Sequence, residues 1–433
     1  MDSKLKEKII SYRREFHKYP ELGWREIRTT ARIAEILDKL GFENLKVGIE
    51  AVDTKAIIEL VKLNEDEKRE EMNRAISQGA DKGWVEKTKG YPGVVAEFDS
   101  GIEGPVVAFR FDIDALPDLQ PAIKGYRPFD ENFISQNENI VHSCGHDGHV
   151  AIGLGLAEEI MNNKGKLKGK VRLLFQPAEE YYSGADSMVF KGYLDDVDYL
   201  FTMHIGLSHE GRPLPSHSIV GGCNDFLSCN QYDVYFEGVS AHPCGASQEG
   251  KNALLAACTA ALNIHAIAPH EEGLLRVNVG EIHAGTSPNT IAPNALIKIE
   301  FRGENNNISK YAKDRVLAII DGAAKMYDVK YRIVDYGEIP TAQSDKECIE
   351  IVKEAAKKVE WFEKIYDLGN VGGSDDATVM MQRVQQRGGK ATYLGLGADV
   401  NAPLHNSQFD FDEEVLIAGV ELCLNILKIT SSS

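Results

Sequence analysis

Residues 142–180 have the sequence HSCGHDGHVAIGLGLAEEIMNNKGKLKGKVRLLFQPAEE. Within this stretch, residues 149–162 are largely apolar and predict a helix, and residues 171–175 form a short apolar run that predicts a buried strand. Similar strand-like runs occur at residues 94–98, 106–111, 199–204 and 391–395. The first two of these runs are expected to pair as a hairpin. Strands that alternate with helices predict an α/β architecture with a mostly parallel sheet flanked by helices, in which ligand sites gather at strand ends.

The sequence pattern changes near residue 228. Half-exposed strands, with alternating polar and apolar side chains, are predicted at residues 232–236, 276–282 and 296–302. Helical patterns occur at residues 253–268 and 316–326. We therefore expect an inserted α+β domain over residues 228–341, with residues 1–227 and 342–433 forming one discontinuous α/β domain. Two domains also suit a chain of 433 residues, because single hydrophobic cores stop growing near roughly 250–300 residues.

Helices are predicted in two further places near the N-terminus. Residues 5–40 have apolar side chains at helical spacing and predict two helices broken at Pro20. Residues 64–89 are rich in charge and predict a helical excursion on the surface of the first domain. A solvated helix is the simpler interpretation of this excursion, and a contact with a partner or substrate through Trp84 and Tyr91 is the alternative.

The overall composition excludes several classes of protein. The chain has 48 basic and 66 acidic residues, a net charge of −18, which opposes nonspecific attraction to nucleic acid or anionic membranes. The charged N-terminus lacks the apolar core of a signal peptide, and no apolar run approaches the ~18 residues of a membrane span. Seven scattered cysteines indicate reduced thiols and not a disulfide framework. We therefore expect a cytoplasmic protein with neither a nucleic-acid nor a membrane partner.

Potential metal donors are concentrated in residues 142–149. This loop (HSCGHDGH) combines three histidines and a cysteine with two glycines that allow a tight backbone. Thiolate sulfur and neutral imidazole nitrogen are donors that transition metals prefer. A hydrogen-bonded turn is the alternative, although buried imidazoles without partners are costly. The loop therefore predicts a metal site that includes Cys144 and His146.

Two adjacent carboxylates follow the strand predicted at residues 171–175. Glu179 and Glu180 are unfavourable neighbours unless a cation or water compensates their charge. Consecutive side chains point in different directions, so one carboxylate can bind metal while the other acts as a general base. A solvated helix start is the alternative for this pair taken alone.

Two more histidines lie at or after predicted strands. His204 ends the strand predicted at residues 199–204, and His405 follows the strand at residues 391–395, in the same chain segment as the polar loop 372–376 (GGSDD). The candidate donors are then Cys144, His146, Glu180, His204 and His405. Five donors are too many for one catalytic zinc that keeps a position open for water, so two divalent ions fit better. A single zinc with two spectator residues is the alternative.

Six stretches of the sequence together resemble one family of enzymes. They are residues 13–21 (RREFHKYPE), 111–116 (FDIDAL), 144–149, 176–180 (QPAEE), 373–377 (GSDDA) and the region of His405. In order and spacing they resemble the amidohydrolase branch of the aminoacylase/carboxypeptidase family of di-metal peptidases, over nearly the whole chain. One departure is that Tyr181 and Tyr182 follow Glu180 where related sequences often have Gly, which would narrow the site or supply aromatic stacking.

The resemblance implies a role for each candidate residue. Two divalent ions, zinc or manganese, would be bound by Cys144, His146, Glu180, His204 and His405. Glu179 would be the general base. The insert would serve as a lid and dimerisation domain, in a homodimer or in a heterodimer with a related subunit.

The resemblance also assigns roles within the insert. His242 would stabilise the developing oxyanion, with a hydrogen-bonded turn residue as the alternative. Asn289 and Arg302 would hold the substrate's carboxylate or carbonyl. Because the protein is acidic, a local cation such as Arg302 would be needed to attract a dicarboxylate substrate.

The substrate implied by the resemblance is a small-molecule N-acyl amino acid. The expected reaction is hydrolysis of p-aminobenzoyl-glutamate, a folate fragment, to p-aminobenzoate and glutamate. Alternatives are a broader N-acyl-amino-acid amidohydrolase or carboxypeptidase, a non-catalytic partner of such an enzyme, and a structural zinc protein. The intact donor set argues against a non-catalytic partner, and the single cysteine among the donors argues against a closed structural zinc site.

Overall fold

The computed structural model describes residues 2–58 and 61–431. The chain divides into two units. One consists of residues up to Asn224 together with those from Ala342 onward, and the other is Asp225–Thr341. The second unit is thus a continuous insertion in the sequence of the first, and it begins at Asp225 where the sequence pattern suggested residue 228.

The first unit is built on an eight-stranded mixed sheet. Its strands are β1 (Lys46–Val47), β2 (Val94–Asp99), β3 (Val106–Asp112), β4 (Lys170–Gln176), β5 (Tyr199–Ile205), β8 (Ser218–Cys223), β13 (Lys364–Gly369) and β14 (Lys390–Leu396), in the order β1-β2-β4-β3-β5-β14-β8-β13. The strands β4, β3, β5 and β14 run parallel to one another. Their carboxyl ends therefore meet at one edge of the sheet, as expected for an α/β architecture.

The hairpin expected from residues 94–98 and 106–111 was a wrong prediction. Strand β4 lies between β2 and β3, antiparallel to β2 and parallel to β3. An apolar strand such as β4 is best placed inside a sheet, where both of its edges form hydrogen bonds. The long connection from β3 to β4, which is partly helical, makes the parallel pairing possible.

Helices flank this sheet. They are α1 (Ser3–Lys18), α2 (Ile27–Leu40), α3 (Glu65–Ser77), α4 (Lys82–Thr88), α5 (Arg127–Asp130), α6 (His146–Asn163), α7 (Gly184–Phe190), α10 (Lys346–Ala356), α11 (Ala377–Gln386) and α12 (Glu414–Thr430). A short ribbon of β6 (Ser208–His209) and β7 (Arg212–Pro213) completes the unit. The helices α1, α2 and α12 pack around α6, whereas α7 and α11 pack together and against β4, β5 and β14.

Helix α6 lies unusually close to the sheet. At Gly153 an added Cβ would be 2.7 Å from ring atoms of Phe111 and Phe175, and at Gly155 it would be 2.6 Å from a methyl group of Val420. Real Cβ atoms do not approach other heavy atoms so closely, so these two glycines set the depth of the helix. The apolar helix predicted from residues 149–162 is the central buried helix of the unit.

The charged excursion of residues 64–89 forms the helices α3 and α4, as predicted. It is not simply a solvated surface. Ala75, Ala80 and Val85 from the excursion form a buried apolar cluster with Ile27 and Ala31 of α2. The sparse apolar residues of the excursion are sufficient for this packing, while most of its charged side chains face outward.

The second unit is an α+β sandwich of one sheet and two helices. Its strands are β9 (Cys229–Glu237), β10 (Leu275–Ala284), β11 (Asn294–Gly303) and β12 (Lys330–Ile339), in the order β10-β11-β9-β12, and all neighbours are antiparallel. The helices α8 (Ala253–His265) and α9 (Asn306–Met326) bury alanine and aliphatic side chains against this sheet. A separate antiparallel region beside a mostly parallel sheet confirms the predicted fold class.

Within the described ranges 2–58 and 61–431, none of the helices combines the length and apolar character that crossing a bilayer requires.

Candidate metal centre

The candidate donors gather at the carboxyl edge of the central strands. Glu179 and Glu180 follow β4, His204 lies at the end of β5, and His405 follows β14. Cys144 lies just before α6, whose first residue is His146. The topology explains this arrangement, because parallel neighbouring strands end at the same edge and the connecting loops must pass over it.

The structure brings all five predicted donors together. The Sγ atom of Cys144 lies 3.5 Å from Nε2 of His204 and 3.5 Å from Nε2 of His405. Nε2 of His405 is 3.4 Å from Oε1 of Glu180. Donor atoms of Cys144, His146 and Glu180 lie within 4.8 Å of one another. Side chains separated by up to 261 positions in sequence thus form one cluster.

Two of the histidines have a defined tautomer. Nδ1 of His146 donates to the backbone oxygen of Asp114 at 3.0 Å, and Nδ1 of His204 donates to the backbone oxygen of Ile205. A carbonyl oxygen can only accept, so the proton must be on Nδ1 in both rings. Each Nε2 therefore presents a lone pair to the cluster, which is the arrangement of a metal-ligating histidine held by an outer partner.

The donor atoms lack the hydrogen bonds that buried polar atoms usually have. Nε2 of His146 and Oε1 of Glu180 are buried and have no hydrogen-bond partner among the residues that the structure describes, a state that costs about 1–3 kcal/mol per atom in a protein interior. The separations of 3.4–3.9 Å to neighbouring donors are long for hydrogen bonds. They match the spacing of about 3.3–3.8 Å between ligands that each lie about 2.0–2.3 Å from a tetrahedral zinc. The donor set therefore fits bound cations.

The charges around the cluster also favour cations. Burial raises the pKa of the Cys144 thiol, and the carboxylates of Glu180 and Glu179 raise it further. Burial alone would lower the pKa of His146, but the negative charges of Asp112 and Asp114 outweigh it and raise the pKa to about 10. An excess of buried negative charge contributes to both shifts, and a positive ion would neutralise it.

Glu179 lies beside the donors in an acidic environment. Its side chain is buried, and burial together with the charges of Asp375 and Glu180 raises its pKa well above the usual value. Carboxylate oxygens of Glu179, Asp375 and Asp376 lie within 4.8 Å of one another. The polar loop singled out at residues 372–376 thus reaches the site.

A buried arginine compensates part of this charge. The guanidinium of Arg110 in β3 donates to Asp112 at 2.6 Å and to Asp376 at 3.0 Å, and lies 3.2 Å from Asp375. The side chain of Gln176 also donates to Asp376, at 2.8 Å. Sequence analysis did not identify Arg110, although a charged residue inside the apolar run 106–111 is a signal that a buried partner exists.

Other residues near the donors are not themselves available as ligands. The Nδ1 atom of His149 bonds to Asp112, and its Nε2 accepts the backbone N–H of Ile205 at 3.1 Å. Both ring nitrogens are therefore occupied, although His149 belongs to the histidine-rich loop. Asp114 bonds to His146 and accepts the backbone N–H of Glu180 at 3.0 Å. The acidic pattern FDIDAL, which begins within a strand-like run, contained the signal for Asp112 and Asp114.

The remaining predicted site residues lie in the second unit. Nδ1 of His242 accepts the backbone N–H groups of Cys244 and Gly245, each at 3.1 Å. The proton of the neutral ring is therefore on Nε2. Asn289 accepts a hydrogen bond from the nearby Ser287 hydroxyl. Arg302 pairs with Glu300 at 2.8 Å on the same strand.

The fold and the donor cluster together define a metallo-amidohydrolase. The sequence profile of peptidase family M20/M25/M40 matches residues 108–429. The chain therefore belongs to the peptidase family M20/M25/M40, and the resemblance expected from its sequence motifs is confirmed.

Individual relatives support the same assignment. Indole-3-acetyl-aspartic acid hydrolase of Enterobacter agglomerans is 42% identical over 416 residues, covering 95% of this chain and 93% of that protein. A p-aminobenzoyl-glutamate hydrolase subunit of Escherichia coli strain K12 is 40% identical over 416 residues, covering 96% and 94%. The crystal structure of an aminobenzoyl-glutamate utilization protein from Klebsiella pneumoniae matches with a TM-score of 0.82 at 36% identity, covering 98% of this chain and 96% of that one.

Proposed function

We propose that this enzyme hydrolyses the amide bond between an aromatic acyl group and an acidic amino acid, with p-aminobenzoyl-glutamate as the first substrate. The observation that carries the proposal is the cluster of five donors beside a buried carboxylate at the carboxyl edge of the sheet. The names of two relatives support the substrate class, because p-aminobenzoyl-glutamate and indole-3-acetyl-aspartate each join an aromatic acyl group to an acidic amino acid. Indole-3-acetyl-aspartate is therefore the second candidate substrate.

The proposed ligands of two divalent ions are Cys144, His146, Glu180, His204 and His405. Two such ions, when bound, polarise the amide carbonyl and make a water molecule more acidic. The thiolate of Cys144 favours zinc, whereas the carboxylate and imidazole donors also suit manganese. Cys144 and Glu180 supply negative charge, and the Nδ1–H bonds of His146 and His204 keep their Nε2 lone pairs directed at the ions.

Glu179 is the proposed general base. It accepts a proton from the water that attacks the carbonyl carbon, and it passes that proton to the amine nitrogen as the C–N bond breaks. A buried carboxylate with a raised pKa is suited to both transfers, because efficient proton transfer needs a pKa near the working pH. The products are a carboxylic acid, here p-aminobenzoate, and the free amino acid.

The second unit is the proposed lid and dimerisation domain, taken as residues 228–341 between the two parts of the catalytic domain, 1–227 and 342–433. The Nε2–H of His242 is the proposed donor to the developing oxyanion, and the two backbone bonds to its Nδ1 support the required tautomer. Asn289 and Arg302 are proposed to hold the substrate's carboxylate or carbonyl.

The proposed working assembly is a cytoplasmic homodimer, or a heterodimer with a related subunit. Two relatives carry names that make them, or their homologue, one subunit of a p-aminobenzoyl-glutamate hydrolase, which supports a test for a second kind of chain. Size measurement of the purified chain, alone and after co-expression with a related chain, separates these two assemblies.

The function is tested with full-length protein reconstituted with zinc or with manganese. We expect release of p-aminobenzoate from p-aminobenzoyl-glutamate, and slower hydrolysis of N-acetyl-glutamate, which lacks the aromatic group. Glu179→Gln should lower kcat by about 1,000-fold or more while the metal content stays unchanged, since proton transfer is lost and the ligands remain. Near-normal turnover of metal-loaded Glu179→Gln would show that Glu179 is not the base.

The oxyanion donor is tested separately. His242→Ala should lower kcat by about 100- to 1,000-fold, the usual cost of removing one such donor, with little change in KM. Metal-loaded wild-type protein that binds p-aminobenzoyl-glutamate without hydrolysing it would instead identify a non-catalytic binding protein.

A further inference from the structure

Arg13 in α1 forms a buried junction between distant parts of the first unit. Its side chain is fully buried. Its Nε donates to Asp147 at 2.8 Å, Nη1 donates to Glu413 at 3.0 Å, and Nη2 donates to Asp410 at 2.7 Å. The aromatic ring of Phe411 lies against the guanidinium, 4.3 Å from Cζ to the ring centroid. One rigid cation thus bonds to three carboxylates.

These carboxylates belong to the chain segments that carry the proposed ligands. Asp147 directly follows His146 in the first turn of α6. Asp410 and Glu413 lie in the segment that continues from His405. The two segments also meet through the backbone, where the N–H of His405 donates to the carbonyl of Ser143 at 2.8 Å.

Neighbouring cations contact one segment or the other. Arg127 bonds to Asp410 at 2.7 Å and Arg14 bonds to Glu413 at 2.7 Å. His17 bonds to Asp147 at 2.8 Å. Arg13 bonds to both segments at once, and the planar fork of a guanidinium holds its carboxylate partners at fixed separations and angles.

We propose that Arg13 is a positioning residue of the metal centre, which fixes the segment of Cys144 and His146 relative to the segment of His405. The inference rests on the metal ligands proposed above. Loss of the guanidinium leaves Asp147, Asp410 and Glu413 in one buried region with less positive charge between them, so the two segments move apart. The cost falls on metal binding, because metal ligands must stay within a few tenths of an ångström of their working positions.

The test measures metal affinity and not turnover. Full-length Arg13→Gln is titrated with zinc, and separately with manganese, against a chromophoric chelator, and we expect at least about tenfold weaker binding of one ion than in wild type. The matched control is Arg172→Gln. Arg172 is also buried and also joins two carboxylates, Glu97 at 3.0 Å and Asp196 at 2.6 Å, but neither carboxylate lies in a segment with proposed ligands. The control should lose a comparable amount of thermal stability and keep wild-type metal affinity.

A second variant separates geometry from charge. In Arg13→Lys a single ammonium cannot bridge three carboxylates, so we expect a Tm nearer that of wild type but metal binding that stays weakened. If Arg13→Gln does not fold, Arg13→Lys is judged by the same criterion. Wild-type metal affinity in the variant, or an equal loss of affinity in Arg172→Gln, would overturn the proposal. Wild-type protein that binds no metal would instead refute the ligand assignment itself.

Discussion

Asp114 serves two of the proposed metal ligands with one carboxylate. Its Oδ1 lies 3.2 Å from Nδ1 of His146, and its Oδ2 accepts the backbone N–H of Glu180 at 3.0 Å. The side chain is almost fully buried. It therefore fixes the ring of His146 and the backbone of Glu180 relative to each other, in the manner of an outer partner of a metal site.

Replacement of this carboxylate should weaken metal binding. We expect Asp114→Ala to lower metal affinity by about 10- to 100-fold, the usual effect of losing an outer partner of a ligating histidine. Competition with a chelator measures the change. Asp118→Ala is the control, because the Asp118 side chain accepts a local bond from the N–H of Leu119 at 2.7 Å. Unchanged affinity in Asp114→Ala would mean that the backbone carbonyl at this position orients His146 by itself.

Two residues at the site have strained backbones. Ala178, directly before Glu179, has a φ of 52°, and His405 has a φ of 65°. This left-handed region is unfavourable for residues other than glycine, so tertiary contacts must hold both positions. At Ala178 the backbone N–H donates to the buried carboxylate of Glu26 at 2.7 Å. The strain directs Glu179 and the imidazole of His405 toward the cluster.

At the scale of elements, the two N-terminal helices are joined by ion pairs. Glu15 of α1 accepts hydrogen bonds from Arg28 at 2.9 Å and from Arg32 at 2.7 Å, both in α2. Burial by itself would raise the pKa of Glu15, but the bonds and charges of Arg32 and Arg28 lower that pKa below the usual value. The pair of helices is thus linked by a carboxylate that must stay ionised.

This link predicts a pH dependence of stability. The folded pKa of Glu15 is lower than the unfolded one, so the unfolded state binds the proton more tightly and the stabilisation is present above the unfolded pKa of about 4.3. It is lost as the pH falls through the folded pKa. Glu15→Gln should therefore lower the free energy of unfolding by about 1 kcal/mol at pH 7, and the difference from wild type should shrink as the pH falls below about 4.

Chemical denaturation at a series of pH values measures this difference. Glu43→Gln is the control, since the side chain of Glu43 is exposed and the residue lies after the end of α2. A deficit of Glu15→Gln that stays constant from pH 7 to acid would show that packing, and not ionisation, is the source of its contribution.

At the scale of the whole molecule, the ends of the insertion are close together in the first unit. Ser344 donates its backbone N–H to the side chain of Asn224 at 2.7 Å, and its hydroxyl donates to the backbone oxygen of Cys223 at 2.9 Å. Asp225–Thr341 has its own core, formed by residues such as Tyr232, Phe236 and Phe301. The fold of the first unit therefore does not depend on a chain entering and leaving at distant points.

Excision of the insertion should separate metal binding from catalysis. We expect a variant in which Asn224 is joined to Ala342 by two glycines to fold and to bind the same number of metal ions as wild type. It should hydrolyse p-aminobenzoyl-glutamate at least about 100-fold more slowly, because His242 is removed with the insertion. Metal analysis and p-aminobenzoate release measure the two properties. Full turnover without residues 225–341 would rule out a catalytic role for His242.

The sequence by itself determined the architecture and the positions of the proposed donors. Short apolar runs and helical periodicity are local properties, so they predicted the parallel strands, α6 and an antiparallel insert. Because parallel strands end at one edge of a sheet, His204 at the end of β5 and Glu180 after β4 could be placed together without coordinates. Confirmation of the family followed from motifs that are equally local.

Only the tertiary structure decided the order of β2, β4 and β3 and the partners of the buried charges. Arg13 bonds to Glu413 across 400 positions, and Arg110 bonds to Asp376 across 266. Such pairs are selected by how layers of helices and strands pack, and residue spacing contains no record of that packing. The same is true of His149, which the loop sequence presents as a donor and which its two hydrogen bonds remove from the ligand set.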